Sequence, residues 1–193
     1  MLEIIGTFCL FSFIALCLIL NYIFNRARYN FFKECAEDLG LNIKNDHEMA
    51  GSYKGYAVSA EFLRSDISSS NYRTRLCLTL TCAKPLRGEM VIYSNLYYLI
   101  YLGKETPVVI NDPEFSSNFC LRIVNMSLPE VNTILTPDIR HTMVELKKKR
   151  GFFISAYDKS IKLQTRAFNN DKDFVKDALE LMFNMLKNYR EIR

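Results

Sequence analysis

The chain has 193 residues, a net charge of +4 and a mean hydropathy of −0.02, and 49% of its residues are hydrophobic. That composition excludes wholesale disorder, and the length suits one packed domain beside a terminal segment. The mild positive charge lacks the clustered basic stripe of a nucleic-acid binder, so no nucleic-acid partner is expected.

The near-neutral hydropathy averages two unlike parts. From Ile4 to Phe24 no charged side chain occurs, and Phe13, Ile14, Leu16, Leu18, Ile19, Leu20 and Ile23 lie in the run. It matches the ~20 residues that cross ~30 Å of hydrocarbon as a helix. A helix satisfies its own backbone polar groups where no water is present. A cleaved signal peptide is disfavoured, because Glu3 is the only early charge and Asn21-Tyr22-Ile23-Phe24 lacks small residues. Residues 1–25 are therefore read as a single transmembrane anchor. Arg26, Arg28 and Lys33 follow the run and no Lys or Arg precedes it. The positive-inside rule then places the rest of the chain on the cytoplasmic side of the inner membrane. The sequon Asn125-Met126-Ser127 is the contrary sign, relevant only in a secretory compartment.

Residues 26–40 continue helically, with Tyr29, Phe32, Ala36 and Leu39 at helical spacing and Gly40 as a stop. This juxtamembrane helix leads into a single soluble domain over residues 41–193. Gly51 to Phe62 reads as a strand, with Tyr56, Val58, Ala60 and Phe62 on one face. Arg73 to Cys82 alternates strictly, Leu76, Leu78, Leu80 and Cys82 against Arg75, Cys77, Thr79 and Thr81. Period two of this kind marks an antiparallel strand with one face in the core. Glu89 to Tyr93 is a further short strand. Asn95 to Leu102 fits a helix and a strand equally well. Val108 to Ile110 and Cys120 to Val124 read as short strands, with a turn over Asn111 to Phe115.

Thr136-Pro137-Asp138 opens a helix, with Thr as N-cap, Pro at the first position and Asp at the positive end of the dipole. Lys147, Lys148, Lys149 and Arg150 occupy its last turn, and Gly151 follows. Phe152 to Tyr157 and Ser160 to Arg166 form a hairpin around Asp158-Lys159, and Asn170 caps a final helix to about Arg190. The expected class is α+β: an N-terminal transmembrane helix, then a mainly antiparallel sheet packed with two or three helices.

Asp112-Pro113-Glu114-Phe115-Ser116-Ser117-Asn118-Phe119 and the later Leu135-Thr136-Pro137 resemble a bacterial family of membrane-associated domains of unknown function. That family carries Asp-Pro-x-Phe-x-x-x-Phe, a spacer, and Leu-Thr-Pro opening a helix. The similarity spans roughly Val108 to Arg166; that family's spacer carries acidic residues and Ala-Arg, whereas this chain has Ser127-Leu128-Pro129-Glu130-Val131-Asn132-Thr133 there. The resemblance implies a fold and a bacterial membrane setting, and supplies no catalytic residue.

Signs of chemistry are sparse. No phosphate loop, dinucleotide fingerprint, nucleophile elbow or metal motif occurs, and no cofactor is expected. Asp138 and His141 stand at i and i+3, the spacing of a carboxylate-oriented base, yet that spacing equally fits a solvated pair. Asp112 and Glu114 are too few oxygens for calcium. Cys35, Cys77, Cys82 and Cys120 form no CxxC and read as small buried hydrophobes; Cys77, away from the leucine face of its strand, is the one candidate for reactivity. Lys147 to Arg150 is a candidate contact for anionic lipid, and Tyr97, Tyr98 and Tyr101, beside Tyr93, for a protein partner. The leading expectation is a non-catalytic, membrane-anchored module that binds another protein. Set against it are a small hydrolase or metal-dependent enzyme using Asp138, His141 and Asp112, and a ligand sensor with an apolar cavity.

Overall fold

The computed structural model describes residues 2–45, 47–64, 74–94, 107–166 and 171–192. Helix α1 (Leu2–Leu39) leads into strands β1 (Asn42–Asn45), β2 (Glu48–Tyr53), β3 (Tyr56–Arg64), β4 (Thr74–Thr81) and β5 (Glu89–Ser94). Next come α2 (Pro113–Asn118), β6 (Phe119–Val124), α3 (Leu128–Ile134) and α4 (Pro137–Lys149). The hairpin β7 (Phe152–Tyr157) and β8 (Ser160–Arg166) and the helix α5 (Lys172–Tyr189) complete the order. The fold is α+β.

Among the described residues the strands form one eight-stranded sheet in the order β1-β2-β3-β4-β8-β7-β5-β6, antiparallel throughout. The β7–β8 hairpin is thus inserted between β4 and β5, which neighbour one another in sequence. Its register follows from the alternation. Met49, Ala60, Leu78, Leu163, Ile154, Ile92 and Leu121 stand opposite one another strand after strand, and all are buried. One residue along, the same strands place Glu61, Cys77, Gln164, Phe153, Tyr93 and Cys120 in a row on the other face. A slip of one residue in any strand would exchange these two rows, so burial of the first row pins the register.

Helix α5 covers the apolar face, lying against β4 and β8 and touching α1, α3 and α4. Its buried stripe includes Phe174, Ala178, Leu181, Met182 and Met185. The end of α1 closes the core beside it: Phe31, Phe32, Cys35 and Ala36 are buried, and the Phe32 ring lies 4.6 Å from that of Phe62 on β3. Gly40, at φ +66, then reverses the chain, and the amide of Leu41 donates to the carbonyl of Ala36 at 2.9 Å. That is a Schellman-type stop, which needs a left-handed residue.

Several local features depart from the sequence-based expectations. The stretch read as one strand from Gly51 is a hairpin, because Lys54 and Gly55 both take positive φ (50 and 83) and turn β2 into β3. The turn expected at Asn111 to Phe115 is the start of α2. Asp112 caps it, its side chain accepting from the amide of Phe115, and Pro113 occupies a position where no amide is needed. The Ser127–Thr133 spacer also winds into a helix, α3, closed by a capping box between Ser127 and Glu130. Of the short strand expected at Val108 to Ile110, one bridge remains, from Val108 to Leu121. Thr136 precedes α4 as N-cap without a side-chain cap bond. The cap of α5 is Asp171, bonded to the amide of Phe174; Asn170 lies outside the described residues.

Helix α1 is continuous from Leu2 to Leu39, yet among the described residues no helix is long and apolar enough to cross a membrane.

Candidate functional site

The two halves of the Asp-Pro and Leu-Thr-Pro pattern meet in space. Asp112 uses one carboxylate oxygen to cap α2 and the other to accept from Nε of Arg140 on α4, at 2.7 Å. Nη1 of the same guanidinium donates to the carbonyl of Leu135 at 2.8 Å, just ahead of Thr136-Pro137. The helix amide and the guanidinium both favour the charged carboxylate, so Asp112 titrates below the usual carboxylate range. Behind this clamp the Phe115 and Phe119 rings stack at 5.1 Å, and Phe119 meets Phe152 of β7 at 5.6 Å. Both phenylalanines of the pattern are buried. The arrangement fastens α2, α4 and the sheet together, with both carboxylate oxygens of Asp112 engaged in it.

The basic run at the end of α4 is partnered along its length. Nζ of Lys147 donates to the backbone and side-chain oxygens of Asn118, both at 2.9 Å, and lies over the Phe119 ring. Partial burial lowers its pKa. Lys148 pairs with Glu145 and Lys149 with Asp177 of α5. The Arg150 guanidinium sits 5.3 Å over the Phe174 ring. Lys147, Lys149 and Arg150 thus hold α4 to α2 and α5, while the Lys148 pair lies within α4. Tyr97, Tyr98 and Tyr101 lie outside the described residues.

Asp138 and His141 are not gathered with Asp112. Asp138 lines a groove of about 420 Å³ between α4 and α5, which takes in neither His141 nor Asp112. Ion pairs Lys149–Asp177 and Lys54–Glu180 bind the residues that flank it. Among the described residues no group of three His, Cys, Asp or Glu side chains is placed to hold a metal ion. Cys77 is 2% exposed, and desolvation raises its thiol pKa while Thr79 contacts the sulfur at 3.9 Å. A buried, protonated thiol is a poor nucleophile.

The remaining candidate is the first half of α1. Phe13, Ile14, Leu16, Leu18, Ile19, Leu20, Tyr22, Ile23 and Phe24 are all exposed, between 44% and 65%. Apolar side chains on every side of a helix have no common face to bury against a domain. Tyr22 accepts a hydrogen bond from Arg26 at 3.3 Å, and Arg28 lies over the Phe62 ring at 5.7 Å. Aromatic and cationic side chains therefore mark the passage from the bare segment to the packed one.

These features define a class by architecture: an α+β domain on a single antiparallel sheet, entered through a long N-terminal helix. No family model and no curated protein matches the chain. Among solved structures, the crystal structure of the mycobacterial trehalose monomycolate transport factor A, TtfA, is similar, with a TM-score of 0.58 at 9% sequence identity. The match covers 86% of this chain and 96% of that one. At such identity the likeness concerns the fold alone.

Proposed function

We propose that the chain is a non-catalytic interaction module of a membrane assembly, held by one N-terminal span with its domain on the cytoplasmic side of the inner membrane. The observation that carries this reading is helix α1. Between Ser12 and Phe24 it presents an uncharged, exposed apolar surface, and from Phe31 to Ala36 it is part of the domain core, with no break between them. Phe24 and Phe31 are about 10 Å apart along the axis. A helix of this kind holds a domain close to a bilayer and fixes its orientation. Tyr22, Phe24 and Tyr29 with Arg26 and Arg28 have the composition of a membrane interface, and the cations favour the cytoplasmic leaflet. The resemblance of the Asp-Pro and Leu-Thr-Pro pattern to a bacterial membrane-associated family supports the setting. So does the fold, shared with a protein named as a transport factor, which supports a role beside lipid transport.

The test uses the full chain in cells. It is expected in the membrane pellet after alkaline carbonate washing. Leu16→Arg with Ile19→Arg adds about 2.5–3.5 kcal/mol of insertion cost per charge and is expected to move it to the supernatant with an unchanged unfolding curve. Retention of the double variant in the pellet would refute the anchor. For orientation, Lys159→Cys, in the exposed β7–β8 turn, is expected to react with an impermeant maleimide only after the cells are opened. Labelling on intact cells would reverse the topology.

A further inference from the structure

At the end of the domain remote from α1, two adjoining cavities of about 470 and 580 Å³ share a wall formed by Cys82, Ala83 and Arg190. One runs beneath the β4–β5 loop, and the other reaches the β2–β3 turn. The cations that line them come from three places: Lys54 in the β2–β3 turn, Lys84 and Arg87 in the β4–β5 loop, and Arg190 at the end of α5. Among the described residues no Asp or Glu lines either cavity. Lys54 and Arg87 have outside carboxylate partners, Glu180 at 2.6 Å and Glu130 at 3.1 Å. Lys84 and Arg190 have none within salt-bridge distance among the described residues. The Arg190 guanidinium instead lies over the Tyr56 ring, 4.8 Å from its centroid, which holds the charge at the junction of the two cavities. Leu186 and Tyr189 of α5 supply an apolar floor.

The two clefts adjoin and open to solvent, which suits an extended chain better than an enclosed small molecule. The trough lies away from the end of α1 that the proposed span would hold in the bilayer. Lys172, at the start of α5, pairs with Asp38 of α1, whereas Arg190 is at the other end of that helix, about 27 Å away. We infer that this trough binds an acidic segment of a partner protein, its carboxylates meeting Lys84 and Arg190 and its apolar side chains lying over Tyr56 and Leu186. The inference rests on reading the domain as a partner-binding module and names the chemistry of that partner.

The probe is a fluorescein-labelled nine-residue peptide of alternating Glu and Leu, with a Lys–Leu peptide of equal length beside it. The full chain is held in nanodiscs of neutral phosphatidylcholine, and anisotropy is read at low and high salt. Saturable binding of the acidic peptide alone is expected, weakening as salt screens the charges. Lys84→Glu with Arg190→Glu, both exposed, is expected to weaken it at least tenfold without moving the melting temperature. Lys33→Glu, at the membrane end, leaves it unchanged. No saturable binding, equal binding by the double variant, or equal loss with Lys33→Glu would each overturn the site. Capture of the chain by anionic vesicles through Lys84 and Arg190 would overturn it in favour of a lipid occupant. Membrane retention is read separately, so failure here is distinguishable from failure of the anchor.

Discussion

The two parts of α1 belong to one unbroken helix, yet their surroundings are opposite. Between Ser12 and Phe24 every side chain is exposed, whereas Phe31, Phe32, Cys35 and Ala36 are buried at 4% or less. The difference is one of composition and arrangement. From Ser12 to Phe24 the helix is apolar all round, and no single partner surface can cover it. The second part alternates its apolar positions with Lys33, Glu34, Glu37 and Asp38, leaving one stripe that fits against Phe62 and α5. Hydrophobicity makes burial favourable, but geometry decides which residues obtain it.

The comparison is tested most severely by removing one ring from each half. Phe32→Ala is expected to cost about 3–5 kcal/mol in denaturant unfolding, since it deletes a fully buried ring that contacts Phe62. Phe13→Ala, at a side chain 63% exposed, is expected to stay within about 0.5 kcal/mol. Equal losses would show that the first half packs on the domain after all. A smaller effect is expected where the packed half ends. Gly40 has open space around its Cα but a φ of +66, so Gly40→Ala should cost about 1 kcal/mol through backbone strain alone. Gly40→Asn, more tolerant of that region, should recover part of it.

The packed half also carries a pH signature. Burial, assisted by Asp38 and Glu34, pushes the Cys35 thiol from 9.0 up to about 12. The folded state therefore keeps its proton where the unfolded chain has lost it. This contribution to stability is complete below pH 9 and drains away as pH rises toward 12. Cys35→Ala is expected to flatten part of that alkaline limb, and a superimposable curve would mean that the thiol reaches water. The smallest effect is expected at Lys172–Asp38, a 3.0 Å pair with both side chains about half exposed. Asp38→Asn should leave the unfolding midpoint within experimental scatter, because water and salt already screen the pair. A resolved loss would make that pair a second fastening of α1 to α5.

Much of the sheet was legible before any coordinates. The alternation in Arg73 to Cys82, Phe152 to Tyr157 and Ser160 to Arg166 reports directly which side chains face the core, since a strand's period is two whatever it pairs with. The helices α4 and α5 announce themselves through Pro137, Asp138 and a wide apolar stripe. Hairpin β2–β3 was obscured because Lys54, a residue without turn preference, takes a left-handed conformation beside Gly55. Helices α2 and α3 are too short for periodicity to show, and only their caps, Asp112 and Ser127 with Glu130, could have revealed them.

For the sites the division is sharper. Lys147 to Arg150 reads as a cationic patch because sequence places four like charges together; in the fold, Asn118, Glu145, Asp177 and Phe174 each stand against one of them. The distal trough had no signal at all, since Lys54, Lys84, Arg87 and Arg190 are scattered through the chain and stand near unrelated residues.

The sequence by itself determined the apolar character of the first part of α1, the α+β class and the facing of most strands, because these depend on composition and on local periods of 2 and 3.6 residues. Only the tertiary structure decided that β7–β8 divides the sheet, that Arg140 reaches Asp112, and which cations are partnered and which stand open in the trough. Those outcomes depend on contacts between residues far apart along the chain, which no local pattern encodes.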